Sequence, residues 1–474
     1  MKRELQKNQN TLCLEALEPR VLLDGTVNCA LRGATLVING DDLDNAIQVF
    51  VDGSGDLIVE GHPAGEFDTT TVTGDAVVPV GDVKKIKIKM RDGGDLVGFG
   101  QFGPGAVPSH FPVKLKIDLG EGNNAVGLGR QYGLNDDTEN INITGDVRIR
   151  AGAGEDVVEL RGVTLGGKAD FKLGDGNNTV MLIGPSDASA EKRVTIIGKV
   201  DVRTGSGHDE CEFSGFSIGQ NLDLKLGDGD NFVTLGGDPG PINSQIDGQL
   251  KVNTGAGNDR IMTSSLSVGA VKVKTGACPD DGHDLLDFDT QTVVDRVKMN
   301  SQNNAGFSTN LATIKGKTRI HIKNRGHIEL NGQFGGNFNA NLGKPDSVGF
   351  PFDDGVDFIA GHIDGNVSIY TGDGPDEIHM ATFGGFEITG RTRINSGSGP
   401  DALLLGPVSD MIFNSLVSIK MGSGDDTLTL GKDGGPNPMV HFSDNRVSKL
   451  NGGPGNNTRT DYGHTGNARF LRFI

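Results

Sequence analysis

Three aspartates, Asp170, Asp201 and Asp223, lie 31 and 22 residues apart, and each stands two residues before a cation: Lys172, Arg203 and Lys225. Stacked on one face of a sheet, carboxylates beside Lys or Arg would equip a polysaccharide-processing groove. If the chain is an enzyme, these six residues are its candidates. The plainer reading is a solvated sheet whose outward charges pair along and across strands, each pair contributing little. A second set, Asp376, Asp401 and Asp426, repeats every 25 residues, with Asp373 and Asp425 beside it. If that position is partly dehydrated, a cation would relieve the repulsion, and oxygen ligands suit calcium. If it is hydrated, no cofactor is needed. The ten histidines are scattered, with no His-x-x-x-His or Ser-His-Asp grouping to mark a zinc site or a catalytic triad.

These residues are positioned by a repeat. The second glycines of the Gly-x-Gly turns are Gly122, Gly154, Gly176, Gly207, Gly229 and Gly257, then Gly374, Gly399, Gly424 and Gly455, spaced 22 to 32 residues apart within each group. A period of this size marks a repeat architecture. Each turn follows a stretch of strict alternation such as VKLKIDL, VDVR, LDLKL or VSIK, which reads as a strand with one buried face. Four residues past the second glycine come Val126, Val158, Val180, Cys211, Val233 and Ile261, then Ile378, Leu403 and Leu428. A column this apolar is expected when equivalent positions stack inside a coil, and Cys211 is read as a small buried hydrophobe within it.

Strand, corner, strand, turn and strand in about 25 residues give an all-β chain. The expected fold is a right-handed parallel β-helix of about 16 coils over residues 26–458, a rod on the order of 75 Å long at about 4.8 Å per coil. Residues 1–25 precede it, and 459–474 form a C-terminal cap or tail. The stretch 283–372 carries the repeat in decayed form and is read as coils with altered turns.

Two residues past the second glycine, the chain alternates Asn124, Asp156, Asn178, Asp209, Asn231 and Asp259. Turns of the LGDGNN kind interleave with turns of the TGAGND kind, so the real unit is a pair of coils of 53 or 54 residues. An amide between two carboxylates removes nearest-neighbour repulsion, which is about 1 kcal/mol in water and several-fold more at a partly buried site. This part of the column is self-sufficient, whereas Asp376, Asp401 and Asp426 have no amide between them.

Composition narrows the function. The chain has 474 residues and a formal net charge of −18, which argues against a nucleic-acid binder. Aromatic residues are 5% of the chain, with no Trp and three Tyr, which weighs against a sugar-stacking groove. Four cysteines, Cys13, Cys29, Cys211 and Cys278, fit neither a zinc motif nor a compact disulfide framework, though a Cys13–Cys29 bridge stays open. No run of 18 apolar residues is present, so no transmembrane helix is expected.

Two local resemblances add to this. TGDGPDEIH, TGAGNDRIM and GSGDDTLTL resemble the G-G-x-G-x-D-x-U-x nonapeptide of RTX (haemolysin-type) calcium repeats, apart from its first glycine. The resemblance implies calcium held by Asp376, Asp401 and Asp426, but here the motif recurs once per coil and not every nine residues. The segment LEALEPRVLLDG resembles the LEPR-XLL motif near the start of large secreted or surface-associated bacterial proteins, with Leu17, Glu18, Pro19, Arg20, Leu22 and Leu23 matching. That resemblance implies export or surface sorting; the same leucines could instead cover the open end of the first coil. Neither the Arg-x-Pro-x-x-Arg signature of β-helix lyases nor the motif set of polygalacturonase-type hydrolases is found. The reading is therefore a non-enzymatic, exported structural or adhesion-type solenoid of the bacterial surface, whose partners would be an anionic polysaccharide or other surface proteins. A calcium-binding RTX-like protein and a carbohydrate-active enzyme are its alternatives.

Overall fold

The computed structural model describes residues 25–62, 70–100, 109–129, 141–184, 193–237, 244–277, 282–302, 304–343, 354–432, 440–443 and 445–474. Among them the chain is all-β, without an α-helix, and its strands join one long, mostly parallel sheet. The LEPR-XLL segment, Cys13 and Cys278 lie outside the described residues.

The sheet winds as a β-solenoid with three ladders. The first runs through Thr35–Asn39, Lys85–Lys89, Lys114–Asp118, Val147–Arg150 and Ala169–Lys172, and ends at Ser448–Asn451 and Ala468–Leu471. The second begins at Ala46–Val51, Leu96–Phe99 and Ala125–Leu128 and ends at Thr458–Asp461. The third passes through Ile141–Ile143, Val163–Leu165 and Val194–Ile196 to His464–Thr465. The stretch 283–372 joins all three ladders. Three long strands there, Ala305–Ile314, Gly326–Phe334 and Asp354–Ile363, carry on through the corner between the second and third ladders.

The apolar column is a physical stack. Val126, Val158, Val180, Cys211, Val233 and Ile261 pair rung to rung in that order, each at most 1% exposed. Each such side chain withdrawn from water contributes about 1.5–3 kcal/mol, and no coil could bury it alone. Burial raises the pKa of the Cys211 thiol and leaves the group inert at neutral pH.

The corners force the glycines. Gly176 has φ of 119°, and a Cβ built on it would sit 2.0 Å from the Gly154 carbonyl of the preceding coil. Only a residue without a side chain allows coils to approach that closely.

The N-terminal end departs from the expected parallel winding. Thr26–Arg32 runs antiparallel to Thr35–Asn39, Asp56–Gly61 runs antiparallel to Ala46–Val51, and Val77–Pro79 adds antiparallel to Asp56–Gly61. Reversed strands thus cover the first rungs of the first and second ladders, where an uncovered edge could pair with another chain. At the other end, the segment from 458 on continues the ladders for one more coil. Arg459 replaces the buried leucine of the column there and lies over the Phe470 ring, 4.3 Å from its centre. The core therefore closes at that rung.

Candidate functional site

Two sets of charged side chains emerge from this winding, one inside the corner between the first and second ladders and one on the open face of the first ladder.

Inside the corner, the Asp and Asn side chains form a hydrogen-bonded column. Each Oδ1 accepts the backbone N–H of its counterpart one coil earlier: Asp156 N–H to Asn178 at 3.3 Å, Asn178 N–H to Asp209 at 3.0 Å, Asp209 N–H to Asn231 at 3.3 Å. The Asn amides have a second task. The Asn178 Nδ2 donates to Asp209 Oδ1 at 3.0 Å and to the Gly176 carbonyl at 2.9 Å, and Asn231 Nδ2 donates to Asp259 Oδ1 at 2.9 Å. Each amide thus supplies a donor to the next carboxylate, beyond diluting charge. The column also takes in Asn457, two residues past Gly455, and reaches further than the glycine spacing indicated to Asn45, Asp95 and Asp284.

A hydroxyl five residues earlier serves the other oxygen of Asp376: Thr371 Oγ1 donates to Oδ2 at 2.7 Å. Asp209, Asp259 and Asp401 have Thr204, Thr254 and Ser396 at the same position. Where the column residue is Asn124, Asn178 or Asn231, that earlier position holds Leu119, Leu173 or Leu226. The hydroxyl is not general to the acids, since Asp95, Asp156 and Asp426 have Met90, Ala151 and Met421 at that position.

The structure places Asp376, Asp401 and Asp426 in this column at 1%, 3% and 0% exposure. Asp376 N–H donates to Asp401 Oδ1 and Asp401 N–H to Asp426 Oδ1, both at 3.1 Å, with no amide between the three acids. Burial, and then the neighbouring Asp376 and Asp426, push the Asp401 carboxyl up to about 8. Burial alone dominates at Asp95, raised to about 7, and at Asp156, Asp259 and Asp426, each raised to about 6.

On the open face of the first ladder, Asp170, Asp201 and Asp223 do stack in register, as do Lys172, Arg203 and Lys225. The carboxylates are already engaged. Arg148 Nε donates to Asp170 at 3.0 Å, Lys199 Nζ lies 2.6 Å from Asp201, and Lys251 Nζ lies 3.2 Å from Asp223. With side-chain exposures of 10%, 8% and 19%, they are the inner halves of charge pairs more than groups presented to a ligand.

The same outward column then changes character. Asp223 is followed in register by Lys251, Lys272, Lys298 and Arg319, four cations on successive rungs. Arg296 and Lys317 flank them at the adjoining corner, and Lys272, Arg296, Lys298, Lys317 and Arg319 line one shallow groove. All five are exposed, and none is within ion-pair distance of an acid among the described residues. Sequence reasoning missed the stripe, because the Gly-x-Gly turns that set the register are missing between Gly257 and Gly374. The alternation in VKVK, VKMN and TRIHI was the signal that could have found it.

Compared with known proteins, the chain matches no family model, no curated protein and no solved structure.

Proposed function

We propose that this chain is a non-enzymatic, right-handed β-helical rod of about 16 coils whose first-ladder face binds an acidic polysaccharide. The observation that carries the reading is the stripe Lys272, Lys298 and Arg319, exposed and without acid partners among the described residues, on a protein of net charge −18. In a chain so acidic, cations left unneutralised in one line call for an anion from outside. Rungs about 4.8 Å apart set a linear array of charges, which suits a chain bearing one carboxylate or sulfate per sugar. Duplex DNA, with one phosphate per about 3.4 Å of helix axis on each strand and a backbone that winds around that axis, falls out of step with it. The absence of Trp and the three Tyr fit capture by charge better than by stacking.

The carboxylates that would make an enzyme are held in ion pairs, which supports binding without cleavage. Calcium is not part of this reading: a buried carboxyl can shed its charge by keeping a proton, as the raised Asp401 would. Export to the cell surface follows from the LEPR-XLL resemblance of Leu17, Glu18, Pro19, Arg20, Leu22 and Leu23.

The test is a titration with polygalacturonate fragments of increasing length, with single-stranded DNA of equal charge as competitor. Affinity should rise with length until the fragment spans the four-rung stripe, and Lys272→Glu with Lys298→Glu should abolish it. Equal affinity in that double variant, or preferential capture of the DNA, contradicts the proposal.

A further inference from the structure

The open face of the second ladder carries a separate group of side chains. In the outward columns, His327 and Glu329 lie on one strand, Gly355 and Asp357 on the next, and Glu377 and His379 on the one after. His327 Nε2 is 3.3 Å from Glu329 Oε1 and 3.8 Å from Asp357 Oδ2. Ligand atoms of His327, Glu329 and Asp357 all lie within 4.8 Å of one another, the one such trio among the described residues.

We propose that His327, Glu329 and Asp357 form a binding site for a divalent transition ion, zinc foremost. Zinc takes His nitrogen and carboxylate oxygen at about 2.0–2.2 Å in a tetrahedron, which sets neighbouring ligand atoms roughly 3.4 Å apart. The two edges at His327, 3.3 and 3.8 Å, bracket that value. One imidazole with two carboxylates selects zinc over calcium, whose sites are built from six to eight oxygens. The fourth position falls to water.

Two further features make the site a built one. His379 Nδ1 is 3.0 Å from Asp357 Oδ1, the oxygen turned away from His327, and His379 Nε2 is 2.9 Å from Glu377. A carboxylate–imidazole–carboxylate chain of this kind orients a metal ligand from behind. The second feature is Gly355, which separates His327 from Glu377 in their column. A Cβ there would come within 2.8 Å of His327 Nδ1, so glycine clears the space that the ring occupies. The ligands are also reachable: His327, Glu329 and Asp357 side chains are 49%, 45% and 26% exposed, unlike the buried acids of the corner. An ion here would tie two successive coils next to the rungs where Ala305 and Gly326 stand in the place of the buried Asp–Asn column.

The experiment is a zinc titration of the chelator-stripped full chain by calorimetry, repeated with cobalt(II) to read its visible spectrum. One saturable site per chain is expected, with the strong absorption of four-coordinate cobalt. Glu329→Gln and Asp357→Asn should each abolish it. His379→Gln, a positioning change, should weaken it roughly tenfold or more while keeping the cobalt spectrum. His441→Gln, on a distant coil, should leave binding unchanged. Glu329→Gln alters an exposed side chain, so its circular dichroism should match the parent and keep the test readable. Absence of a saturable site, or unchanged affinity in Glu329→Gln and Asp357→Asn, overturns the proposal.

Discussion

Asp401 Oδ1 accepts the backbone N–H of Asp376 across 3.1 Å, joining two buried acids on neighbouring coils with no amide between them. Equivalent acids elsewhere receive an extra donor, as Asp209 does from Asn178 Nδ2. That difference sets the pH behaviour of the rod.

The folded carboxyl of Asp401 is raised from 3.8 to about 8, and those of Asp95, Asp156, Asp259 and Asp426 to about 6 or 7. A raised folded value means the native state holds protons that the unfolded chain releases. Stability is then fully present near pH 4 and is lost as pH rises through 6 to 8. Thermal unfolding should therefore occur at a higher temperature at pH 5 than at pH 8, with a gain on the order of 2–4 kcal/mol from Asp401. Asp401→Asn should be more stable than the parent at pH 8 and should flatten the profile. A melting temperature that falls on acidification from pH 8 to 5 would sink this account.

The converse substitution is Asn178→Asp. It removes the amide that donates to Asp209 and places Asp156, the new acid and Asp209 in line. We expect a loss of about 2–3 kcal/mol at pH 8 that shrinks at pH 5. Chemical denaturation at the two pH values reads the difference.

Thr371→Val keeps shape and removes the 2.7 Å hydrogen bond to Asp376 Oδ2. Taking one donor from a buried carboxylate costs about 1–3 kcal/mol. The same change at an exposed threonine, Thr71 for example, should cost less than about 0.5 kcal/mol.

Calcium should not matter to the corner. Asp376, Asp401 and Asp426 point their oxygens along the column and are at most 3% exposed. Millimolar calcium added to chelated protein should leave the melting temperature unmoved at pH 7, whereas a rise of several degrees would restore the RTX-like reading.

The winding was legible because glycine corners count the coils: Gly154, Gly176 and Gly207 fix the register from which Val158, Val180 and Cys211 follow. The Asp–Asn alternation was visible too, though not the hydrogen bond that Asn178 or Asn231 donates to the next acid, since an amide beside a glycine reads simply as a turn residue. The stripe at Lys272, Lys298 and Arg319 and the cluster at His327, Glu329 and Asp357 were hidden for one reason. Both fall where corners are made by bulged, continuous strands, so residues 21 to 28 apart in sequence could not be aligned by counting. The antiparallel cover at the N-terminal end was illegible for another reason, because a strand's partner direction leaves no trace in its alternation.

The central claim is that an unneutralised line of cations on an acidic rod exists to hold an acidic polymer. It is tested most directly by the salt dependence of polygalacturonate binding in the parent and in the triple variant Lys272→Gln, Lys298→Gln and Arg319→Gln. Counterion release predicts a linear fall of log affinity with log salt, made shallower by about two units when three cations are removed. An identical slope and affinity in the two proteins would contradict it.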